Sequence, residues 1–151
     1  MAESSTQSIT IPAPPAEVAA VICDFAGYPE WAGGVRACEV LEEYEDGYAS
    51  QVRFVVDAGV FRDEYTLAYE YAEDISRIEW HLVAPSKAQR AQTGSYDLAP
   101  VDGGTLVTYT LEVDLAISLP GFLRRRAEKT IMDTALKELR KRVEALGAGR
   151  G

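Results

Sequence analysis

Few side chains in this 151-residue sequence are suited to acid–base chemistry, and His81 is the only histidine among them. Histidine is the usual general base near neutral pH. The alternation of its predicted strand, however, places His81 on the same side as Arg77 and Glu79, which is the polar side. We therefore expect a surface histidine, with a catalytic base as the alternative.

A second group of candidates alternates along one predicted strand. Asp63, Tyr65 and Tyr69 have the same parity, so they point to one face of a sheet. A carboxylate beside phenols can take a proton from an acidic carbon or hold a ligand hydroxyl, and a phenol can orient or protonate a carbonyl. These three are the candidate catalytic residues. The competing interpretations are a solvated strand end for Asp63 and ordinary core packing for the tyrosines.

The sequence predicts neither a metal site nor a bound cofactor. One histidine and two separated cysteines, Cys23 and Cys38, fall short of the ligands that tetrahedral zinc requires, and the spacing of a calcium loop is absent. The motifs GxGxxG, GxxxxGK[ST] and GxSxG are also absent, which leaves dinucleotide binding, P-loop chemistry and esterase-type hydrolysis unsupported. Without CxxC spacing, the cysteines favour a reduced, cytoplasmic protein.

Charge and hydropathy exclude further classes. Fifteen basic against 24 acidic residues give a net charge of −9, which argues against a nucleic-acid partner. No apolar run approaches the roughly 18 residues of a membrane span, and the polar start lacks a signal peptide's pattern. The basic cluster Arg124–Lys129 is interpreted as a solvated helix face, with docking of an acidic partner as the alternative. We expect one domain over residues 1–146 and a flexible tail over 147–151.

Hydrophobic periodicity predicts mostly strands followed by one long helix. The pattern at Ser8–Ile11 is typical of a short strand. The region from Pro14 to Asp24 is typical of a helix that starts at proline, and Tyr28–Trp31 could add one further helical turn. Short turns then separate six candidate strands, so these must form antiparallel hairpins. The predicted strands are Val35–Glu43, Tyr48–Asp57, Val60–Tyr71, Ile75–Val83, Ala88–Leu98 and Thr105–Leu115.

The last predicted element is a long amphipathic helix from Leu119 to Leu146, with apolar residues at three- and four-residue spacing. The middle of its apolar stripe carries mainly small side chains, which cannot fill the space beneath a curved sheet. We therefore expect a ligand cavity between helix and sheet. Its predicted lining comprises Trp31, Val52, Phe54, Tyr65, Leu67, Tyr69, Trp80, Tyr96, Tyr109, Ala127, Thr130, Ile131 and Thr134, and Trp31 with Tyr28 stands beside Gly33–Gly34 as a candidate gate.

Two stretches of the sequence resemble a known group of proteins. Ser8–Pro14, followed by Val18, Asp24, Tyr28, Pro29 and Trp31, resembles the start of the START-like, helix-grip superfamily (SRPBCC). Gly94–Leu98, with Gly104–Tyr109 and Leu111–Val113, is similar to the last two strands of its bacterial polyketide cyclase/dehydrase and lipid-transport branch. The resemblance extends over about residues 6–146.

The resemblance implies an α+β helix-grip fold: a seven-stranded antiparallel sheet wrapped around a long C-terminal helix, with two short helices between strands 1 and 2. Members bind apolar or aromatic molecules, and the fold alone does not distinguish carriers from enzymes. We expect an internal site for a polyketide-, lipid- or quinone-like molecule. The alternatives are a polyketide cyclase or dehydratase that uses the cavity tyrosines and aspartate, or a partner-docking quinone-chaperone or ribosome-associated protein. A weak homodimer is compatible with each.

Overall fold

Seven antiparallel strands form one sheet in the computed structural model, which describes residues 3–57, 62–116 and 120–148. The strands lie in the order β1-β7-β6-β5-β4-β3-β2, so that β2 to β7 form a meander and the first strand is added beside the last. They are β1 (Glu3–Ile11), β2 (Val35–Glu43), β3 (Ala49–Asp57), β4 (Arg62–Tyr71), β5 (Arg77–Leu82), β6 (Gln89–Val101) and β7 (Gly104–Leu115).

Two short helices separate β1 from β2, as the resemblance implies. Helix α1 (Pro15–Cys23) starts at a proline, whose fixed φ suits the first turn, and a 3₁₀ turn at Phe25–Gly27 leads into α2 (Tyr28–Trp31). The long helix α3 (Gly121–Ala148) packs against β1, α1 and α2. The predicted helix start at Leu119 lies outside the described residues, as do the last three residues of the predicted tail. Together these elements confirm the helix-grip fold.

The sheet has one apolar and one polar face, as the strand alternation predicts. The inner face is the core, and the outer face carries ion pairs such as Arg77–Asp97 at 2.8 Å and Arg53–Glu64 at 3.1 Å. His81 is exposed on the outer face, paired across the sheet with Thr93. This is the surface position expected for it.

The face that α3 buries differs from the predicted one. In its first half the buried stripe runs through half-buried Arg124, then Glu128 and Met132, before it continues through Leu139 and Val143 as expected. The predicted cavity residues Ala127, Thr130, Ile131 and Thr134 are all exposed, and Ile131 retains 53% of its surface. Placing these four in the cavity lining is therefore wrong. The prediction followed a second apolar stripe, which lies on the solvent side of the helix. It missed the inner stripe because that stripe contains charged side chains.

An irregularity in β6 also departs from simple alternation. Gln92 pairs with Val113 and Ala91 with Asp114, but the next partner, Leu115, pairs with Gln89, so Arg90 is an extra residue. This β-bulge turns Gln89 to the inner face, where it is only 2% exposed. Bulges commonly re-aim a side chain beside a functional site.

Candidate ligand-binding site

Aromatic rings form a continuous wall on the inner face of the sheet. The side chains alternate inward from neighbouring strands, so their rings meet across the strand pairs. Ring centroids lie 4.7 Å apart for Tyr96–Tyr109, 5.4 Å for Trp80–Tyr96, 5.6 Å for Phe54–Tyr65 and 5.9 Å for Tyr69–Trp80. Phe25, in the 3₁₀ turn before α2, packs onto this wall with its ring centroid 4.8 Å from that of Tyr69. The predicted inward positions of Val52, Phe54, Tyr65, Leu67, Tyr69, Trp80, Tyr96 and Tyr109 agree with this core.

The tyrosines fall into two groups by their hydrogen bonds. At one edge, the Tyr44 and Tyr71 hydroxyls donate to the carbonyls of Tyr69 and Ala49, at 2.6 and 2.7 Å. Within the described residues, a second group has hydroxyls that make no hydrogen bond to another protein group. Its members are Tyr65, Tyr69, Tyr96 and Tyr109. Burial raises the pKa of all four, so they remain neutral phenols able to donate.

Tyr65 and Tyr96 are the two members of this second group that are only half-buried. Each keeps part of its surface accessible, yet burial dominates the upward shift of each pKa. Both side chains are half-buried members of the aromatic wall, and their hydroxyls have no hydrogen-bond partner among the described residues.

A polar cluster adjoins this wall at the start of β4. Asp63 is 7% exposed, so the alternative of a solvated strand end does not hold. Its Oδ2 accepts hydrogen bonds from Ser86 Oγ at 2.6 Å and from Gln89 Nε2 at 3.0 Å. The cluster continues from Gln89 Oε1 to Gln92 Nε2 at 2.5 Å, and from Gln92 Oε1 to Trp80 Nε1 at 2.9 Å.

The sequence matches a known family over most of its length. Residues 2–144 match the model of the family described as polyketide cyclase / dehydrase and lipid transport. The chain belongs to this family. No curated protein matches the sequence significantly.

Solved structures confirm the fold of this polyketide cyclase / dehydrase and lipid transport family member. A START superfamily protein from Mycobacterium smegmatis superposes with a TM-score of 0.87 at 24% identity, over 95% of this chain and 98% of the other. The Zhui aromatase/cyclase from Streptomyces sp. R1128 gives 0.81 at 18% identity, over 95% and 94%. A protein from Thermus thermophilus gives 0.78 at 23% identity, over 95% and 99%.

In this family member, the candidate gate is fastened to α3. Trp31 is half-buried, and its ring centroid lies 5.0 Å from that of Tyr28, whose hydroxyl donates to the carbonyl of Ile22. Next to it, the Gly33 amide donates to both carboxylate oxygens of Glu138, at 3.0 and 3.1 Å. Arg142 also pairs with Glu30 at 2.9 Å. The segment between α2 and β2 is therefore attached to the helix by these contacts.

Two clefts formed by described residues lie elsewhere. One of about 410 Å³ crosses the outer face of the sheet beside His81, Arg77 and Glu79, and one of about 500 Å³ lies between α1 and the strand connections near Ile75. Neither is bounded by α3. No helix in the described part of the chain is long and apolar enough to cross a membrane.

Sequence reasoning missed three members of the polar cluster. Gln92 shares its parity with Tyr96, so alternation alone could have placed it inside. Ser86 lies in a predicted turn, where a serine is unremarkable. Gln89 faces inward only because of the bulge, for which the sequence carries no clear signal.

Proposed function

We propose that this protein binds an apolar or aromatic small molecule, polyketide-, lipid- or quinone-like, between the inner face of the sheet and α3. The family description supports the ligand class. The observation that carries the proposal is the set of inward phenols, Tyr65, Tyr69, Tyr96 and Tyr109, whose hydroxyls have no hydrogen-bond partner among the described residues. Half-buried Ala135 packs against the same core from the helix side.

Contact area and phenol donors act together in this site. A guest with the area of one large aromatic side chain buries about 200 Å², worth about 5 kcal/mol at the usual coefficient. The cost of association offsets much or all of that gain. Guests must therefore be larger than one ring or accept hydrogen bonds from the wall, each adding about 1 kcal/mol. The neutral phenols suit carbonyl oxygens.

A matched pair of helix variants tests the proposal. Ala135→Phe adds a ring on the inner side of α3, whereas Ala127→Phe adds the same ring on the exposed side. Titration calorimetry with β-naphthol should show that Ala135→Phe weakens binding about tenfold or more, because it fills the guest's space, and that Ala127→Phe does not. Native mass spectrometry should also show a co-purified molecule or an added probe. Absence of binding by the unmodified protein in both measurements would overturn the proposal.

A second candidate function is cyclisation or dehydration of a polyketide-like substrate. It is favoured by the proximity of Asp63 to Tyr65: after burial and Tyr109, the Asp63 carboxylate is a further cause of the raised pKa of Tyr65. Asp63 would accept a proton from an acidic carbon while Tyr65 or Tyr69 donates to the carbonyl. A turnover assay with poly-β-ketone analogues tests the roles. Unchanged rates in Asp63→Asn, Tyr65→Phe and Tyr69→Phe would reject them.

A further inference from the structure

We infer that the inner site selects guests that carry a hydroxyl or enol group, which donates a hydrogen bond to Oδ1 of Asp63. The inference rests on the proposed binding function and names the ligand chemistry. It assigns recognition to a cluster defined by Asp63, Ser86, Gln89, Gln92 and Trp80, here called the carboxylate relay.

The chemistry of Trp80 determines which group donates and which accepts in each hydrogen bond from Trp80 through Gln92 and Gln89 to Asp63. The indole of Trp80 can only donate, so Gln92 must present Oε1 to it, at 2.9 Å. The amide group of Gln92 then faces Gln89 Oε1, and the amide group of Gln89 faces Asp63 Oδ2 at 3.0 Å. The usual ambiguity of glutamine orientation is thereby resolved by chemistry.

Ser86 is oriented in the same way. Its Oγ accepts from the backbone amide of Gln89 at 3.1 Å, and it donates to Asp63 Oδ2 at 2.6 Å. One oxygen of the carboxylate thus receives two donors, which fix the plane of the Asp63 side chain.

The other oxygen is left as an acceptor. Asp63 Oδ1 is sealed from solvent and accepts no hydrogen bond from the residues that the structure describes. Leaving a buried acceptor without a donor is unfavourable, and a guest hydroxyl removes that penalty. Asp63 has the inward parity of Tyr65 on β4, so the acceptor and the phenol donors belong to one wall. This pairing matches a hydroxylated aromatic ketone or its enol.

Replacing the carboxylate by its amide should reverse the preference. Ser86 and Gln89 both donate to the position of Oδ2, so in D63N the amide oxygen must lie there. The NH₂ group then takes the position of Oδ1, and an acceptor becomes a donor. The substitution changes neither size nor shape.

The test compares β-naphthol with its methyl ether, which has nearly the same shape but no donor. Calorimetry on the full-length protein should give a binding ratio of about tenfold or more in favour of β-naphthol, as for a hydrogen bond to a charged group. In D63N the ratio should fall to about one or below. The control D133N changes a carboxylate that pairs with Lys129 on α3 and should keep the original ratio.

The outcomes separate this inference from the proposed function. If neither probe binds, the binding function itself fails. If both bind with equal affinity to the unmodified protein, binding stands and hydroxyl recognition by Asp63 is overturned. If D63N does not fold, Ser86→Ala provides the second variant: it loosens the carboxylate, so the ratio should decrease, and an unchanged ratio contradicts the inference.

Discussion

Trp80 lies over Gly94 so closely that a Cβ atom on the glycine would be 2.3 Å from Cζ2 of the indole and 2.7 Å from Nε1. The two residues pair across β5 and β6. The absent side chain lets the indole cross the neighbouring strand and reach Gln92. Because Gly94 has no Cβ atom, the indole of Trp80 has the space it needs to donate to Gln92 in the carboxylate relay.

Gly94→Ala should destabilise the protein by about 1–3 kcal/mol, the usual cost of overpacking a core. The indole must move, so its hydrogen bond to Gln92 should also be lost. Urea unfolding measures the first effect, and the indole NH resonance of Trp80 measures the second. Gly147→Ala is the control: nothing lies within 4 Å of its Cβ, so stability should change by less than about 1 kcal/mol. Equal stability of Gly94→Ala and the unmodified protein would contradict the contact.

Stability should decrease steeply in alkali. Burial raises the pKa of Tyr65, Tyr69, Tyr96 and Tyr109, so the folded state holds protons that the unfolded chain releases near the ordinary tyrosine value of about 10. Their contribution is complete below that pH and is lost as the pH rises toward the folded values. Unfolding midpoints in urea at about pH 8 and pH 11 measure the loss. Reversible ionisation of all eight tyrosines near pH 10 without unfolding would contradict the predicted loss of stability.

Both cysteines should react slowly in the folded protein. Burial raises the pKa of Cys23 to about 11 and that of Cys38 to about 12, so little thiolate is present near neutral pH. Iodoacetamide at about pH 8 should alkylate the native protein at least about tenfold more slowly than the urea-unfolded chain. Cys23→Ala and Cys38→Ala isolate each thiol, and the rate should increase as the pH approaches each value. Native and unfolded rates that coincide would refute the prediction.

The hydrogen bonds between the Gly33 amide and Glu138 should affect local opening of the segment between α2 and β2 more than global stability. Glu138→Ala removes the acceptor of the Gly33 amide, so hydrogen exchange at Gly33 should accelerate about tenfold while global stability falls by less than about 1 kcal/mol. Glu144→Ala is matched, because its partner Arg140 is on the same helix, and it should leave Gly33 unchanged. Exchange at Gly33 that is insensitive to Glu138→Ala would show that other contacts hold the segment.

Alternation predicted the strands and their faces because a half-buried sheet has a strict period of two. The bounds of β2 agree with the prediction, and Asp63, Tyr65 and Tyr69 lie inward as expected. The prediction of which face of α3 is buried was wrong in the first half of the helix, where Glu128 is buried and Ile131 is exposed. Hydropathy ranks side chains by their average environment, so it cannot identify an inner stripe that carries charge.

The site itself was only partly predictable. The aromatic wall follows from parity, whereas the carboxylate relay depends on one extra residue, Arg90, that shifts the register of β6. Such a shift is decided by pairing with β7 and by packing, which lie outside any local pattern in the sequence. Tertiary pairing, and not the residue types, therefore brought Gln89 to Asp63.

The arrangement of the aromatic wall also bears on the intrinsic fluorescence of the protein. The indole of Trp80 lies 5.4 Å from the ring of Tyr96 and 5.9 Å from those of Tyr69 and Tyr109. Light absorbed by these phenols passes to the indole, so emission from the wall is gathered at a single chromophore. Insertion of a guest among the rings, as proposed above, should change the emission of Trp80 without any label.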